Sequence, residues 1–283
     1  MTIKLFAILF MTLDHIAVYF APGLPGDLTD LLRILGRIAF PLFAYSTALS
    51  FRRTRNFFRY TLRLFLAAWI SQPIIVYAKS LVQHRAVPNV LFTLTLGVVF
   101  ITAYELFSNG NYDKLVRMQP LEEGANNPQA QPWQFRFNEG FAMIPWLAKL
   151  LGVFFMALAL FSASYFETDY GIYGVLNVFF FHLALKQKEE DQYVYSLMLL
   201  GNLNLLFIVI SDLAMSNFRF LAPVFRTPVR QGFSVLAVPL IYALQRARKS
   251  PEQKPGPLGK WFFYCYYPLH ILLLAWLAHN LLY

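Results

Sequence analysis

Cysteine is nearly absent from this chain. Cys265 stands alone, so no internal disulfide framework can form, and one thiol says nothing about redox compartment. No zinc-type Cys/His spacing, glycine-rich phosphate loop or internal repeat occurs along its 283 residues. Charge is scarce as well: Asp, Glu, Lys and Arg make up 14% of the residues, against about 25% in soluble proteins. That shortage excludes a solvated surface over most of the molecule.

What fills the sequence is apolar. Hydrophobic residues reach 58%, the mean hydropathy is +0.48, and Phe is the commonest aromatic with 29 copies. These values describe an integral membrane protein. The net charge of +9 does not point to nucleic acid, because Lys and Arg collect in cytoplasmic loops for topological reasons.

A spanning helix needs about 20 mostly apolar residues. That length predicts an all-α, polytopic transmembrane bundle of about nine helices, near residues 4–22, 31–51, 57–78, 88–107, 142–164, 170–186, 193–214, 231–246 and 261–282. The first reads as a retained helix, because Asp14 and His15 interrupt it and no A-x-A-like cleavage site follows. Most Lys and Arg then fall on one set of flanks, which orients the N-terminus inside and the C-terminus outside. The chain reads as one integral-membrane domain, 1–283, with a loosely ordered cytoplasmic loop at 108–140 and a Pro-rich linker before the last helix. The stretch "NFRFLAPVFRTPVR" suits an interfacial or re-entrant piece.

Ionisable side chains at membrane depth are costly and usually face a partner, a cavity or water. Asp14 and His270 each lie ten residues past an inner-flank lysine, Lys4 and Lys260, or about 15 Å along a helix. Arg37 lies about 10 Å below Asp30 on the second helix. Adjacent helical residues point about 100° apart, so Asp14 and His15 do not serve one another. Arg37 is the expected partner of Asp14, with Gly36 allowing close helix approach. His15, on a stripe with Thr12 and Tyr19, is expected to face a cavity shared with His270. His182 and His279 lie near helix ends and His84 in a loop, and none is given a role.

Arg55, Arg59 and Arg63 recur every four residues at the inner end of the third helix. Such a stripe serves topology and anionic membrane lipids. It could also dock a polyphosphate, since Arg matches phosphate with a planar fork. A ligand using both this stripe and the intramembrane histidines needs phosphates and a long reactive arm, the shape of acyl-coenzyme A.

Five stretches in order, "LDHI", "GRIAFPLFAY", "NVLFTLTLG", "DYGIYGVL" and "FFYCYYPLHILLL", resemble the TraX family. Its members acetylate the N-terminus of conjugative F-type pilin, and some fimbrial-assembly proteins look similar. The resemblance implies a multi-pass acetyltransferase of the bacterial inner membrane that uses acetyl-coenzyme A, with a pilin-like acceptor and no metal. It implies Asp14, His15, Arg37 and His270 as catalytic residues and Asn89, Tyr170 and Tyr267 as substrate contacts. Gly36, Pro41 and Gly171 also match. The 108–140 loop and the spelling "YYPLH", with Pro268 two residues before His270, depart from the family pattern.

Acetylating an amine requires a neutral nucleophile, loss of a proton and stabilisation of an oxyanion. Histidine, with a reference pKa of about 6.5, suits the proton transfer. His15 is the expected general base and His270 a second proton-transfer or thioester-positioning group. Arg37, Asn89 or Tyr170 would stabilise the oxyanion or orient the acceptor. A covalent acetyl-histidine stays open. Competing readings are a proton-coupled transporter or flippase, a non-catalytic pilus-assembly protein, and transfer to a glycan or lipid hydroxyl. Transport is disfavoured by the lack of an inverted repeat and of paired Gly/Pro-broken helices.

Overall fold

The computed structural model describes residues 2–54, 56–109, 145–216, 229–247 and 257–282. Every regular element among them is helical. In chain order these are α1 (Thr2–Tyr19), a 3-10 turn (Ala21–Gly23), α2 (Gly26–Gly36), α3 (Ala39–Arg53), α4 (Phe57–Leu81) and α5 (Val90–Asn109). Then follow α6 (Pro145–Tyr165), α7 (Gly171–Leu185), α8 (Glu189–Ser216), a 3-10 segment (Val229–Leu236), α9 (Ala237–Arg246) and α10 (Pro257–Leu282). Seven stretches are long and apolar enough to cross a bilayer, with α2 and α3 together forming one of them. The shorter apolar α7 and the 3-10 segment with α9 complete the count of nine expected from sequence. The chain is a multi-pass membrane protein. Arg55, most of the 108–140 loop, and most of the re-entrant and linker segments lie outside the described residues.

The pattern of burial explains the layout. α3 is central: Phe40, Leu42, Ala44, Tyr45, Ala48 and Phe51 are all buried. It packs against α1 on one side and α7 on the other, while α4 pairs with α5 and α10. α4 and α6 turn large apolar groups outward, among them Phe65, Trp69, Ile70, Phe154 and Phe161. In water such exposure would aggregate; in hydrocarbon it is the expected face. Trp146 and Tyr165 mark the two ends of α6, where amphipathic rings anchor at headgroup level.

Two passes that read as continuous in sequence are broken. The second splits at Arg37 and Ile38, between α2 and α3. Pro41 is the cause: it has no N–H for the Arg37 carbonyl, and its ring collides with that carbonyl. The 3-10 segment gives way to α9 in the same way, with Pro239 again the third residue of the new helix. The first break meets the start of the 3-10 segment, where Arg37 Nη1 donates to Gln231 Oε1 at 3.4 Å. Neither proline stands mid-helix: each is the third residue of a new helix.

Gly36 sets how closely α1 and α2 approach. A Cβ built there would overlap the Cβ and carboxylate of Asp14. Gly36→Ala should push the helices apart and destabilise the protein by about 1–3 kcal/mol, the usual cost of overpacking. Thermal unfolding in detergent checks this, and an unchanged midpoint would show that the contact is not limiting.

Candidate functional site

The site starts from two adjacent residues near the end of α1. Asp14 faces α2, where Arg37 Nη2 donates to both of its carboxylate oxygens at 2.8 and 3.0 Å. Arg33, one turn earlier on α2, adds an Nη1 contact to Asp14 Oδ1 at 2.9 Å. Two guanidinium groups thus share one carboxylate. Arg37 is further held by its Nε on the Arg33 carbonyl at 3.3 Å. From Gln231 a buried polar chain continues through the Tyr173 hydroxyl, which accepts from Gln231 Nε2 at 3.3 Å and donates to Asn204 Oδ1 at 2.7 Å. The expected Asp14–Arg37 pair is present, and Arg37 is held by partners on every side.

His15 turns the other way, toward α10. Its Nδ1 lies 2.8 Å from His270 Nε2, and His270 Nδ1 lies 2.9 Å from the Tyr266 carbonyl. A carbonyl only accepts, so His270 Nδ1 carries the hydrogen. With a neutral His270, Nε2 accepts from His15 Nδ1–H, and the lone pair of His15 rests on Nε2. Tyr266 braces the arrangement: its ring stacks on His270 at 4.9 Å, and its hydroxyl bonds Thr12 at 2.8 Å. His15 lines a cavity of about 870 Å³, whereas His270 stands behind it outside the wall.

That cavity gathers elements from one end of the bundle. The ends of α1 and α4 meet the 82–89 connection, where the exposed His84 ring stacks on Tyr19 at 5.8 Å. The α6–α7 hairpin closes the opposite side. Asp169 N–H donates to the Pro88 carbonyl at 3.1 Å, and Arg85 bonds Glu167 at 2.6 Å. Gly171 has φ of 50°, a left-handed conformation that L side chains rarely adopt, and so starts α7 directly after Asp169 and Tyr170. Enclosure raises the Asp169 carboxyl above the ordinary range, with Lys79 and Arg37 opposing. Partial burial, helped by Lys79, lowers His84.

The remaining expected residues divide. Tyr170 and Tyr267 line the cavity; the Tyr170 ring stacks on Phe40 at 3.8 Å, and the Tyr267 hydroxyl accepts from Val90 N–H at 3.4 Å. Asn89 also reaches the wall, but the scaffold fills its hydrogen bonds. Its Oδ1 caps α5 by accepting from Leu91 N–H at 3.0 Å, and its Nδ2 donates to Ala68 O and Gln72 Oε1, both at 2.9 Å. An oxyanion role is not assigned to it. Arg59 and Arg63 are exposed near the start of α4, sixteen or more residues before Lys79, hence about 24 Å or more away along the helix. They do not line the cavity.

Sequence reasoning missed several groups. Arg33 and Lys79 were read as flank charges, although the Arg33–Arg37 spacing of four already put both on one stripe. Asp169 stood unremarked inside "DYGI". Glu105, an acid within the apolar run of α5, met the same criterion that singled out Asp14. It accepts from His182 Nε2 and Lys186 Nζ, each at 2.7 Å. His182 lies in the last turn of α7, as expected, and is packed inside the bundle at 1% exposure.

Residues 1–116 match the family model described as TraX protein. Over those residues, fewer than half of the 283, the chain is similar to that family. The match covers Asp14, His15, Arg37 and Asn89 and ends before Asp169 and Tyr267, which the fold returns to the same cavity, and before His270, which stands behind His15. No curated protein and no solved structure matches the chain.

The pairing of two arginines with one carboxylate gives an asymmetric expectation. Asp14→Asn leaves two guanidiniums facing each other and should cost about 3–5 kcal/mol, as for other broken buried pairs. Arg37→Gln keeps the Asp14–Arg33 contact and should cost less. Chemical denaturation of the two variants in detergent orders them, and the reverse order would contradict this electrostatic account.

Proposed function

We propose that the protein is an acetyltransferase of the bacterial inner membrane that moves an acetyl group from acetyl-coenzyme A to an acceptor amine. The pilin-like N-terminus implied by the TraX match is the acceptor we favour. The observation that carries this reading is the 2.8 Å bond from His15 to His270, with His270 fixed on the Tyr266 carbonyl, at the wall of a closed-in cavity. A base oriented by a second group, which is itself anchored, is the arrangement that acyl transfer requires.

In this reading the amine nitrogen attacks the thioester carbonyl, a C–N bond forms, and the C–S bond breaks. His15 Nε2 takes the proton from nitrogen and returns it to the departing sulfur, so coenzyme A leaves as the thiol. His270 accepts from His15 Nδ1–H and so supports the transient imidazolium. Arg37 is bound to Asp14, which leaves Lys79 as the cation on the cavity wall for the oxyanion; among the described residues Lys79 has no carboxylate within 4.0 Å. Arg59 and Arg63 would hold the donor's phosphates at the face where α1 begins.

A second reading has one observation in its favour. The paired breaks at Pro41 and Pro239, the first meeting the 3-10 segment through Arg37 and Gln231, are a feature of transporters. Neither proline stands mid-helix, and the sequence carries no inverted repeat to pair them.

Purified protein in nanodiscs, given acetyl-coenzyme A and a peptide amine, should release thiol. His15→Ala should lower turnover by about 10²–10⁴-fold while the protein stays monodisperse. His270→Gln, whose amide oxygen can still accept from His15, should retain more activity than His270→Ala. Full thiol release by a folded His15→Ala protein would sink the assignment. Flux driven by a pH gradient without coenzyme A would favour transport instead.

A further inference from the structure

We propose that Asp169 receives the acceptor as an ammonium ion and removes its first proton, so that the cavity selects a peptide α-amine. This inference rests on the acetyl-transfer reading above. It begins from proton counting. A free α-amine has a pKa of about 7.7–8.0 and is mostly ammonium at neutral pH. The ammonium carries three N–H bonds and the amide product carries one. Two protons must leave nitrogen, yet His15 has one ring nitrogen open to the cavity, because Nδ1 is engaged with His270. An acceptor that binds as the ammonium, the major form, needs a second group in the cavity for its other proton.

Three carboxylates line the cavity: Asp14, Glu167 and Asp169. Asp14 is held by Arg33 and Arg37, and Glu167 by Arg85 at 2.6 Å. Asp169 is exposed to the cavity, and among the described residues it has no ion pair within 4.0 Å. Its backbone is fixed, with N–H on the Pro88 carbonyl and the next turn closed by Gly171 N–H on Thr168 O at 2.8 Å. Tyr19, Tyr170 and Tyr267 line the same space and offer aromatic faces to a cation. The charged groups that face Asp169 are Lys79 from α4, Arg33 and Arg37 from α2, and Asp14 from α1.

The step balances. The ammonium transfers one proton to the Asp169 carboxylate and becomes a neutral amine. That amine attacks the thioester, and its second proton passes through His15 to sulfur. The Asp169 proton then leaves to water at the cavity mouth. Enclosure raises the Asp169 carboxyl, which makes it a better holder of that proton, while Lys79 and Arg37 oppose the rise. An α-amine is favoured over a lysine side chain, since at pH 7.4 about a quarter of the former but only about 0.1% of the latter is neutral.

The test uses triglycine amide and its N-acetylated form, with full-length protein in nanodiscs. Calorimetry without acetyl-coenzyme A should show the free amine binding at least about tenfold tighter than the acetylated form, the scale of one charged hydrogen bond. Asp169→Asn should abolish that preference and Asp169→Glu should keep it. In turnover, Asp169→Asn should lower kcat/KM for the free amine by about 10–100-fold at pH 7 and recover toward wild type by pH 9, as neutral amine becomes abundant. N-acetyltriglycine hydrazide, whose α-amine is blocked and whose terminal hydrazide is neutral at pH 7, should be used equally by both proteins. If the wild type shows the binding preference and Asp169→Asn loses it, but no acceptor is acetylated, the ammonium site stands and the acetyl-transfer reading fails. If the wild type acetylates amines and Asp169→Asn keeps both its preference and its pH profile, the inference about Asp169 is overturned while acetyl transfer stands.

Discussion

The carboxylate of Asp14, held between Arg33 and Arg37, is the contact on which the rest of the site depends. It fixes α1 against α2 at a separation that only Gly36 permits. It neutralises one of two guanidiniums beside an apolar core, where an unpaired charge would be costly. Through Arg37 it reaches Gln231 and the Tyr173–Asn204 chain, so the rotation of α1 is set by partners on α2, α7, α8 and the 3-10 segment. Because α1 cannot rotate, the next residue cannot either. His15 is aimed 100° away from Asp14 and meets α10.

The two helix breaks make this geometry possible. A continuous helix through Arg37 would bind the Arg37 carbonyl inside its own ladder and carry the side chain along a straight axis. Pro41 stops the ladder there, so Arg37 sits at the end of α2 with its N–H on the Ile34 carbonyl and its own carbonyl without the Pro41 donor. Pro239 does the same after the 3-10 segment that carries Gln231. Polar contacts and proline placement are thus one device: the breaks free the backbone, and the side-chain network fixes where the freed ends go.

Much of this was legible from sequence, and the misses share a cause. The Asp14–Arg37 pair and the His15–His270 contact followed from the 100° step per residue and from matched depths on two helices. The break at Arg37 did not, because apolar periodicity continued across it, although Pro41 was visible. Arg33 and Lys79 were hidden because charges at helix ends have a topological explanation that needs no site. Asp169 was hidden for a similar reason, since an acid before a helix reads as a partner for the helix dipole. Asn89 reaches the cavity wall as the motif suggests, but its role as a cap for α5 was not visible in the sequence. His182 was placed by its distance from a helix end, whereas burial depends on how far neighbouring helices extend past it.

The position of His15 in depth carries a consequence for any two-substrate reaction. It lies four residues, about 6 Å, from the end of α1, whereas Arg59 and Arg63 lie at the face where α1 begins. A donor docked at one face and an acceptor entering from the other can meet at His15 only if a polar route runs inward from it. One turn nearer the beginning of α1, Thr12 and the Tyr266 hydroxyl bond each other directly beneath the histidine pair. Nearer still, Lys4 lies over the Phe263 ring at 5.3 Å, where α1 and α10 start together. The α1–α10 seam therefore carries polar groups along its length and is the one that holds both histidines.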